Sequence, residues 1–315
     1  DRRMIDLVGK RYWYFLLSAL IIIPGLVAMG ISIARFGSPI RLGIDFTGGS
    51  LLEVEFQQPV LPGQVREVVE SQGVLDPSIQ TSPDGKTVVI RAKEMEIEKK
   101  AAIEEALEKR LGTLTERRFD AVGPSVGREV TRAAAVAVGA ASIGILLFII
   151  LAFRKVPNAF RYGVCALIAM LHDILVAVGL FALMGLIVGW EADSLFLTAL
   201  LTVIGFSVQD TIVVFDRIRE NVPKRRGEPY ELIVNRSLLE TVHRSLATQL
   251  NAIFVLFAIL FFGGATMRQF VAVLLVGMFS GTYSSIFNAV PLLVVWENGE
   301  VGAFFRRLRR QPASS

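Results

Sequence analysis

Apolar residues fall into six long runs that are separated by polar segments. A helix needs about 20 residues to cross the hydrocarbon core of a bilayer, and each run is close to that length. The six runs are Tyr12–Ala34, Ala133–Phe153, Phe160–Leu186, Leu195–Phe215, Leu246–Phe262 and Phe270–Trp296. The pattern predicts an α-helical polytopic membrane protein with six transmembrane helices.

The first run also resembles a signal peptide. Lys10 and Arg11 precede it, and the small residues around Ala28 and Gly30 resemble a cleavage site. Its apolar stretch is longer than the central region of a typical signal peptide, which favours a retained helix. Composition agrees with a membrane protein, since 53% of the residues are hydrophobic, more than an ordinary globular core uses. The single cysteine, Cys165, lies inside an apolar run and offers no disulfide framework.

The polar segment between the first two runs alternates between strand-like and helix-like periods. Its pattern predicts strands near residues 51–56, 78–81, 87–91 and 116–122, and helices over 63–72 and 97–111. This β-α-β-β-α-β order is that of the ferredoxin-like unit. We therefore expect a small α+β ferredoxin-like domain between the first and second helices. The segment shows no metal-ligand cluster and no nucleophile paired with a base, which favours binding or mechanical coupling over catalysis.

Lysine and arginine mark one side of the membrane, because short cytoplasmic loops are enriched in both. They cluster before the first run, between the second and third, in the loop 216–243 and in the tail 298–315; the short loops of the other side hold only Arg268. The expected plan is a cytoplasmic N-terminus and first helix (1–36), an exported domain (37–129), helices two to six (130–297) and a basic cytoplasmic tail. This topology explains the net charge of +4 without a nucleic-acid partner.

Two carboxylates lie inside predicted spans, where charged side chains usually mark ion pathways or relays. Asp173 is twelve residues from Arg161, which places it roughly 18 Å along a helix and near mid-membrane. Asp210 is seven residues from Arg217, roughly 10 Å below the cytoplasmic surface. Either carboxylate could instead serve as a hydrogen-bonding group between helices, and His172 is a local polar companion for Asp173.

Arg244 is the candidate cation for a titrating carboxylate, because a nearby arginine favours the ionised form. Thr248 and Asn251 follow it at i+4 and i+7, so the three residues share one helical face. An interfacial arginine that reaches the cytoplasm and helps to set the topology is an equally good interpretation.

A stripe of small residues in the last run recurs every four positions. Such stripes let membrane helices approach closely. Ser284 and Asn288 lie beside the stripe, so this face of the helix could also line a polar interior. The pattern predicts close helix packing, either within this chain or against a partner, by Gly277, Gly281, Ser285 and Ala289.

The segment LGIDFTGGS follows the first run. An aspartic-protease motif is excluded, because Phe46 interrupts the Asp-Thr-Gly order and no second copy supplies the partner carboxylate. A phosphate loop would be followed by a helix, whereas here the alternating segment LLEVEF follows. The glycines are better explained as positions that adopt backbone conformations forbidden to other residues. The motif residues are Gly43, Asp45, Thr47, Gly48 and Gly49.

Five motifs occur in order along the chain: LGIDFTGGSLLEV, VGPSVGREV, ALIAMLHDILVAVG, GFSVQDTIVVFDRIREN and GTYSSIFNAVPL. In this combination the chain resembles the SecF family of the resistance-nodulation-division superfamily. The resemblance implies a non-enzymatic subunit of the bacterial cytoplasmic membrane that works with SecD, either separate or fused upstream, and with the SecYEG channel and a translocating preprotein. Protons would be the coupling ion, with no other cofactor. By the same resemblance Asp210 and Arg244 are linked to proton transport, Asp173 matches a further motif residue, and LGIDFTGGS is the junction between the first helix and the exported domain.

Two other classes of function stay open on the residues alone. One is half of a proton-driven small-molecule exporter of the same superfamily, although six spans and one small domain make up only half of that architecture. The other is an assembly or scaffold subunit without an ion pathway, in which the buried polar residues only hold helices together.

Overall fold

The computed structural model describes residues 6–300, apart from Asp76, Pro83, Glu94, Glu96, Lys155, Pro157, Arg226, Gly263 and Gly264. Its chain contacts define two compact units, which we call the membrane unit and the α+β domain. The α+β domain comprises Arg41–Val136 and the short segment Glu191–Ser194, and the other described residues form the membrane unit. The predicted domain limits were residues 37 and 129, and the first of these stretches runs from Arg41 to Val136. Glu191–Ser194 was not expected in the domain.

Ten α-helices and four strands make up the two units, together with a 3₁₀ turn at Val8–Lys10 and a π-helical turn at Ser285–Ala289. In chain order the elements are α1 (Arg11–Phe36), α2 (Ile44–Thr47), β1 (Gly49–Phe56), α3 (Pro62–Ser71), β2 (Ser78–Thr81), β3 (Thr87–Ala92), α4 (Ile97–Leu111), β4 (Leu114–Val122), α5 (Pro124–Ala152), α6 (Ala159–Ile187), α7 (Ser194–Lys224), α8 (Tyr230–Phe262), α9 (Ala265–Ser284) and α10 (Val290–Glu297).

Among the described residues, six helical segments are long and apolar enough to cross a membrane, which confirms the predicted number of spans. They are α1, α5, α6, α7, α8 and the continuous α9–α10 segment. About half or more of the most apolar part of α6, α7 and α9–α10 is buried, whereas α1, α5 and α8 leave most of theirs exposed. The three buried helices therefore form the interior of the membrane unit, and the three exposed ones surround it.

Helix α1 packs closely against α6 through a pair of glycines. A Cβ atom added to Gly25 would lie 2.8 Å from the Cα of Gly179, and the reverse distance is the same. Only a hydrogen side chain fits such a contact, which is the way small residues bring membrane helices together. The crossing holds α1 against the helix that carries Asp173.

The polar segment 216–243 differs from the predicted loop. Helix α7 continues to Lys224 and α8 already begins at Tyr230, so most of this segment is helical. The charged residues ended the hydrophobic pattern but did not end the helix, because they pair along its surface. Arg217 donates to Glu220 at 2.8 Å, and Arg219 pairs with Asp216 at 2.5 Å, both at i,i+3 spacing.

The α+β domain has the predicted β-α-β-β-α-β order. Its antiparallel sheet has the strand order β2-β3-β1-β4, with β1 paired to β3 and β4. Alternate residues of β1 and β3 point to one side, where Leu52, Val54 and Ile90 are buried against α3 and α4. This period of two is the signal that the sequence carried.

Candidate functional site

Asp173 lies at the centre of a buried polar cluster in the membrane unit. Its side chain is 1% exposed. Oδ2 accepts hydrogen bonds from Ser207 Oγ at 2.5 Å and Ser284 Oγ at 2.7 Å. Oδ1 accepts from Ser280 Oγ at 2.6 Å and lies 3.0 Å from Nδ1 of His172. A carboxylate has about four acceptor positions, so these four groups fill the hydrogen-bonding capacity of Asp173.

Three helices supply this cluster, and the small residue Gly281 lets them meet. Ser207 comes from α7, and Ser280 and Ser284 stand one turn apart on α9 with Gly281 between them. A Cβ atom added to Gly281 would lie 3.3 Å from the Cα of Ser207 and 3.7 Å from Oδ2 of Asp173. The close approach of α9 to α7 thus brings the serine hydroxyls within reach of the carboxylate.

All four residues of the small-residue stripe are buried within this chain. Gly277 packs against the side chain of Val203 on α7, where an added Cβ would overlap the valine methyl groups, and Ser285 and Ala289 are fully buried. The structure therefore favours the internal alternative for the stripe over a face that meets a partner. Beside it, Asn288 in the π-helical turn accepts a hydrogen bond from Ser18 of α1 at 2.9 Å, so the polar interior extends towards α1.

Enlarging Gly281 is expected to prevent correct packing. Gly281→Leu forces α9 away from α7 and displaces Ser280 and Ser284 from Asp173, which should cost about 1–3 kcal/mol or more. Gly144→Leu on α5 is the matched control, because nothing lies within 4 Å of a Cβ at that position. The measurement is the monodisperse yield and thermal unfolding temperature of the purified chain. Equal values for both variants would contradict close packing at Gly281.

Asp210 lies on α7 in a different environment from Asp173. It is 4% exposed. Its Oδ2 accepts a hydrogen bond from Nε2 of Gln249 on α8 at 2.6 Å. This is the one side-chain hydrogen bond to the Asp210 carboxylate within the part of the chain that the structure describes. The two buried carboxylates therefore differ sharply, because one is filled with donors and the other has a single donor.

Arg244 does not meet Asp210 in this structure. Arg244, Thr248 and Asn251 share one face of α8, as predicted, and that face is exposed. The opposite face carries Ser245 and Gln249, both buried, and this face meets Asp210. Sequence reasoning missed Gln249 because it searched for a charge. Its signal was a second polar series at four-residue spacing that runs through Thr241, Ser245 and Gln249.

The junction motif forms a short helix that ends in two glycines. Gly48 and Gly49 have φ values of +74° and +122°, which side chains rarely permit. A Cβ on Gly48 would lie 2.8 Å from the Cα of Pro124, so the neighbouring backbone also demands glycine there. Thr47 closes the turn, since its hydroxyl donates to the carbonyl of Gly43 at 3.0 Å.

The start of the motif binds the segment Glu191–Ser194, and we call the pairing of Arg41–Asp45 with Glu191–Ser194 the clasp. The amide of Gly43 donates to the carbonyl of Ala192 at 2.7 Å, and the amide of Ala192 donates to the carbonyl of Arg41 at 2.8 Å. Asp45 accepts from the backbone N–H of Ser194 at 2.8 Å and from its hydroxyl at 2.6 Å. The motif carboxylate is therefore a structural acceptor.

Charge reinforces the clasp. The carboxylate of Glu191, whose side chain is 8% exposed, pairs with Nε of Arg41 at 2.8 Å and with Nε of Arg91 on β3 at 2.6 Å. Burial raises the pKa of Glu191, and the two arginines oppose that rise. Burial likewise lowers the pKa of Arg91, which Glu191 opposes. One carboxylate thus holds two guanidinium groups together.

Removing this carboxylate is expected to open the clasp. Glu191→Gln leaves two guanidinium groups facing a neutral amide, and breaking a buried ion pair costs about 3–5 kcal/mol, which partial exposure of both arginines reduces. The amides of Gly43 and Ala192 should then exchange with deuterium on the order of ten- to a hundredfold faster. Glu98→Gln on α4 is the control. Unchanged exchange at both amides in Glu191→Gln would show that the ion pairs do not hold the clasp.

Six apolar helices, a ferredoxin-like domain inserted after the first, and a carboxylate buried among serine hydroxyls define a multi-pass membrane protein with a polar interior. The family model described as "Protein export membrane protein SecD/SecF, C-terminal" matches residues 102–299, and the "SecD/SecF GG Motif" matches residues 36–60. The chain belongs to the SecF family.

Relatives and solved structures agree with this assignment. "Protein translocase subunit SecF" of Thermobaculum terrenum is 49% identical over 99% of this chain and 100% of its own, and that of Anaerolinea thermophila is 47% identical over the same shares. The crystal structure of SecDF from Thermus thermophilus matches with a TM-score of 0.80 and 30% identity over 94% of this chain. The match covers 39% of the SecDF chain. The relatives are named as translocase subunits, a role in transport.

Proposed function

We propose that this chain, together with SecD, uses the proton motive force to promote preprotein translocation through SecYEG in the bacterial cytoplasmic membrane. The observation that carries the proposal is the contrast between two buried carboxylates: Asp173 accepts hydrogen bonds from three serine hydroxyls and contacts His172, and Asp210 accepts one hydrogen bond from a side chain. Pairs of carboxylates in unlike environments take unlike roles. Asp173 holds helices together, and Asp210 gains and loses the proton.

The membrane potential supplies enough free energy for such a step. Moving one charge through 100 mV is worth about 2.3 kcal/mol, which shifts a two-state equilibrium by about fiftyfold. Protonation makes Asp210 neutral and changes its bond to Gln249, so α7 and α8 are the helices whose packing depends on the proton. Asp210 receives its proton from the exported side and releases it to the cytoplasm.

Chain connectivity links the proton-dependent helices mechanically to the α+β domain. Helix α6 carries Asp173 and α7 carries Asp210, and the segment that joins these helices contains Glu191–Ser194. That segment is one half of the clasp within the α+β domain. A displacement of α6 or α7 therefore pulls on the domain through the backbone itself. In this proposal the domain lies on the exported side, where it acts on the preprotein.

The exposed polar face of α8 is the proposed contact with SecD. Thr248 and Asn251 lie within the apolar run that begins at Leu246, and with Arg244 they are exposed. Polar side chains inside a span usually face other protein groups rather than lipid. Arg244, Thr248 and Asn251 thus face the partner subunit, while Gln249 serves Asp210.

Reconstitution tests the proposal. The proteoliposomes contain SecYEG and SecD, with or without this chain. A preprotein and the cytoplasmic ATPase that drives translocation are added in the presence or absence of a proton gradient. The chain should increase translocation when the gradient is present. Equal stimulation without the gradient would support the scaffold function instead. Failure to co-purify with SecD and SecYEG, combined with gradient-dependent efflux of small molecules, would support the exporter function.

A further inference from the structure

Gln249 uses only half of its amide group. Its Nε2 donates to Oδ2 of Asp210 at 2.6 Å. Its Oε1 is buried and has no hydrogen-bond partner among the described residues, and the same holds for the hydroxyl of Ser245 one turn earlier on α8. Both residues are at most 4% exposed. Buried polar atoms in native proteins are nearly always paired, so two unpaired groups beside a titrating carboxylate require an explanation.

The chemistry of the two carboxyl states supplies one. An ionised carboxylate only accepts hydrogen bonds, whereas a protonated carboxyl group also donates one through its O–H. A glutamine amide carries a donor and an acceptor of nearly the same shape. Rotation of the amide by about 180° would replace Nε2 with Oε1 opposite Asp210. Gln249 can thus form a hydrogen bond with Asp210 in both protonation states.

Ser245 completes the second arrangement. Residues at i and i+4 lie on the same face of a helix, so side-chain rotation can bring the Ser245 hydroxyl within reach of the end of the Gln249 amide that is not bonded to Asp210. A hydroxyl both donates and accepts. It can therefore donate to Oε1 when Asp210 is ionised and accept from Nε2 when Asp210 is protonated. In each state, rotation of these two side chains gives the Gln249 oxygen and the Ser245 hydroxyl a hydrogen-bond partner.

The other charged group near Asp210 cannot take this role. Asp173 on α6 is the charged neighbour, with His172 beside it. The acceptor positions of Asp173 are filled by hydroxyls from α7 and α9 and by His172. These bonds would break if Asp173 turned towards Asp210.

We propose that Gln249 is a positioning residue whose side-chain amide turns over each time Asp210 gains or loses its proton. Only Asp210 gains and loses the proton, and Gln249 keeps both of its amide hydrogens throughout. The inference rests on the proposed function, because it takes Asp210 as the group that exchanges protons. It assigns Gln249 and Ser245 the task of keeping the carboxyl group hydrogen-bonded in both states.

Infrared difference spectroscopy tests the inference on the wild-type complex with SecD in membranes. Spectra recorded at high and low pH, with unlabelled and ¹³C-labelled glutamine, report the Asp210 carboxyl band and glutamine amide carbonyl bands. Asp210→Asn and Gln249→Met assign the two signals. We expect one glutamine carbonyl band to shift together with Asp210 protonation and to disappear in both variants. Protonation of Asp210 with no glutamine band shift would overturn the inference and leave the proposed function standing. No protonation of Asp210 at any tested pH would overturn both.

Translocation gives the second measurement. Gln249→Met keeps the length of the side chain without its hydrogen bonds, so gradient-dependent translocation should fall at least tenfold while SecD recovery and ATP-driven translocation stay unchanged. Ser245→Ala should lower it several-fold. Ser142→Ala on α5 is the control, because among the described residues that hydroxyl donates only to the carbonyl of Val138 on its own helix. Wild-type gradient dependence in Gln249→Met would contradict the inference, provided that wild type itself responds to the gradient.

Discussion

Replacing Asp173 with alanine should prevent stable folding of the membrane unit. The substitution leaves three serine hydroxyls and the His172 imidazole without their acceptor, inside a region that is almost fully buried. Each buried polar group left unsatisfied costs about 1–3 kcal/mol. Even with partial rearrangement, the total should reach at least about 3 kcal/mol, a large share of the stability of a typical protein.

Asp173→Asn separates shape from charge. Its amide keeps one acceptor oxygen, and the serine hydroxyls can turn to accept from the new NH₂ group, so this variant should fold better than Asp173→Ala. The measurement is the yield of monodisperse protein and its thermal unfolding temperature. Asp210→Asn is the control and should fold normally. An alanine variant that folds like wild type but loses only its response to the gradient would move Asp173 from helix packing to the proton route.

Asp210→Asn should abolish gradient-dependent translocation and leave the protein folded. Asparagine has the shape of the protonated carboxyl group, and its oxygen can still accept from Nε2 of Gln249, the bond that Asp210 makes at 2.6 Å. It cannot lose a proton, so the exchange stops in one state. We expect gradient stimulation to fall at least tenfold, while translocation driven by ATP alone and recovery with SecD stay at wild-type levels.

Two controls make this result specific. Asp216→Asn changes a carboxylate further along α7 that pairs with Arg219 at the surface, where an ion pair contributes little, and it should keep the gradient response. Asp210→Glu keeps a titratable group and should retain a measurable part of it. If Asp210→Asn and Asp216→Asn gave the same response as wild type, proton exchange at Asp210 would not drive translocation.

The fold could be predicted from the sequence because its signals are local. The six apolar runs and the alternation of period two and period 3.6 each depend on neighbouring residues, and they gave the spans and the β-α-β-β-α-β order of the α+β domain. The boundaries of α7 and α8 were less visible. Surface charges such as Arg217 and Glu220 end a hydrophobic run, although they support a helix.

The partners of the two carboxylates were not visible, because they depend on how helices rotate against each other. Asp173 and Asp210 stood out as charges within apolar runs. Ser207 and Ser280 did not, since serine is common in membrane helices and only the close approach at Gly281 gives these hydroxyls a carboxylate. For Asp210 the search for a cation led to Arg244, whereas the buried face of α8 presents Gln249.

The clasp shows a different limit of sequence reasoning. In the sequence, Glu191–Ser194 has only the pattern of a short connection between two spans. Its pairing with Arg41 and Gly43 joins positions about 150 residues apart. A pairing between two such short segments carries no periodic signal. Asp45 was noticed in the motif, but its acceptor role became clear only when the structure placed Ser194 beside it.

Proton flux through the complex tests the central claim most directly. Proteoliposomes that contain this chain, SecD and SecYEG enclose a pH-sensitive dye in an acidic lumen, and a preprotein is translocated inwards with the cytoplasmic ATPase and ATP outside. The lumen then corresponds to the exported side. The proposed mechanism predicts that protons leave the lumen during translocation in the wild type, that this flux is at least tenfold lower in Asp210→Asn, and that it is unchanged in Asp216→Asn. Proton flux of wild-type size in Asp210→Asn would contradict it.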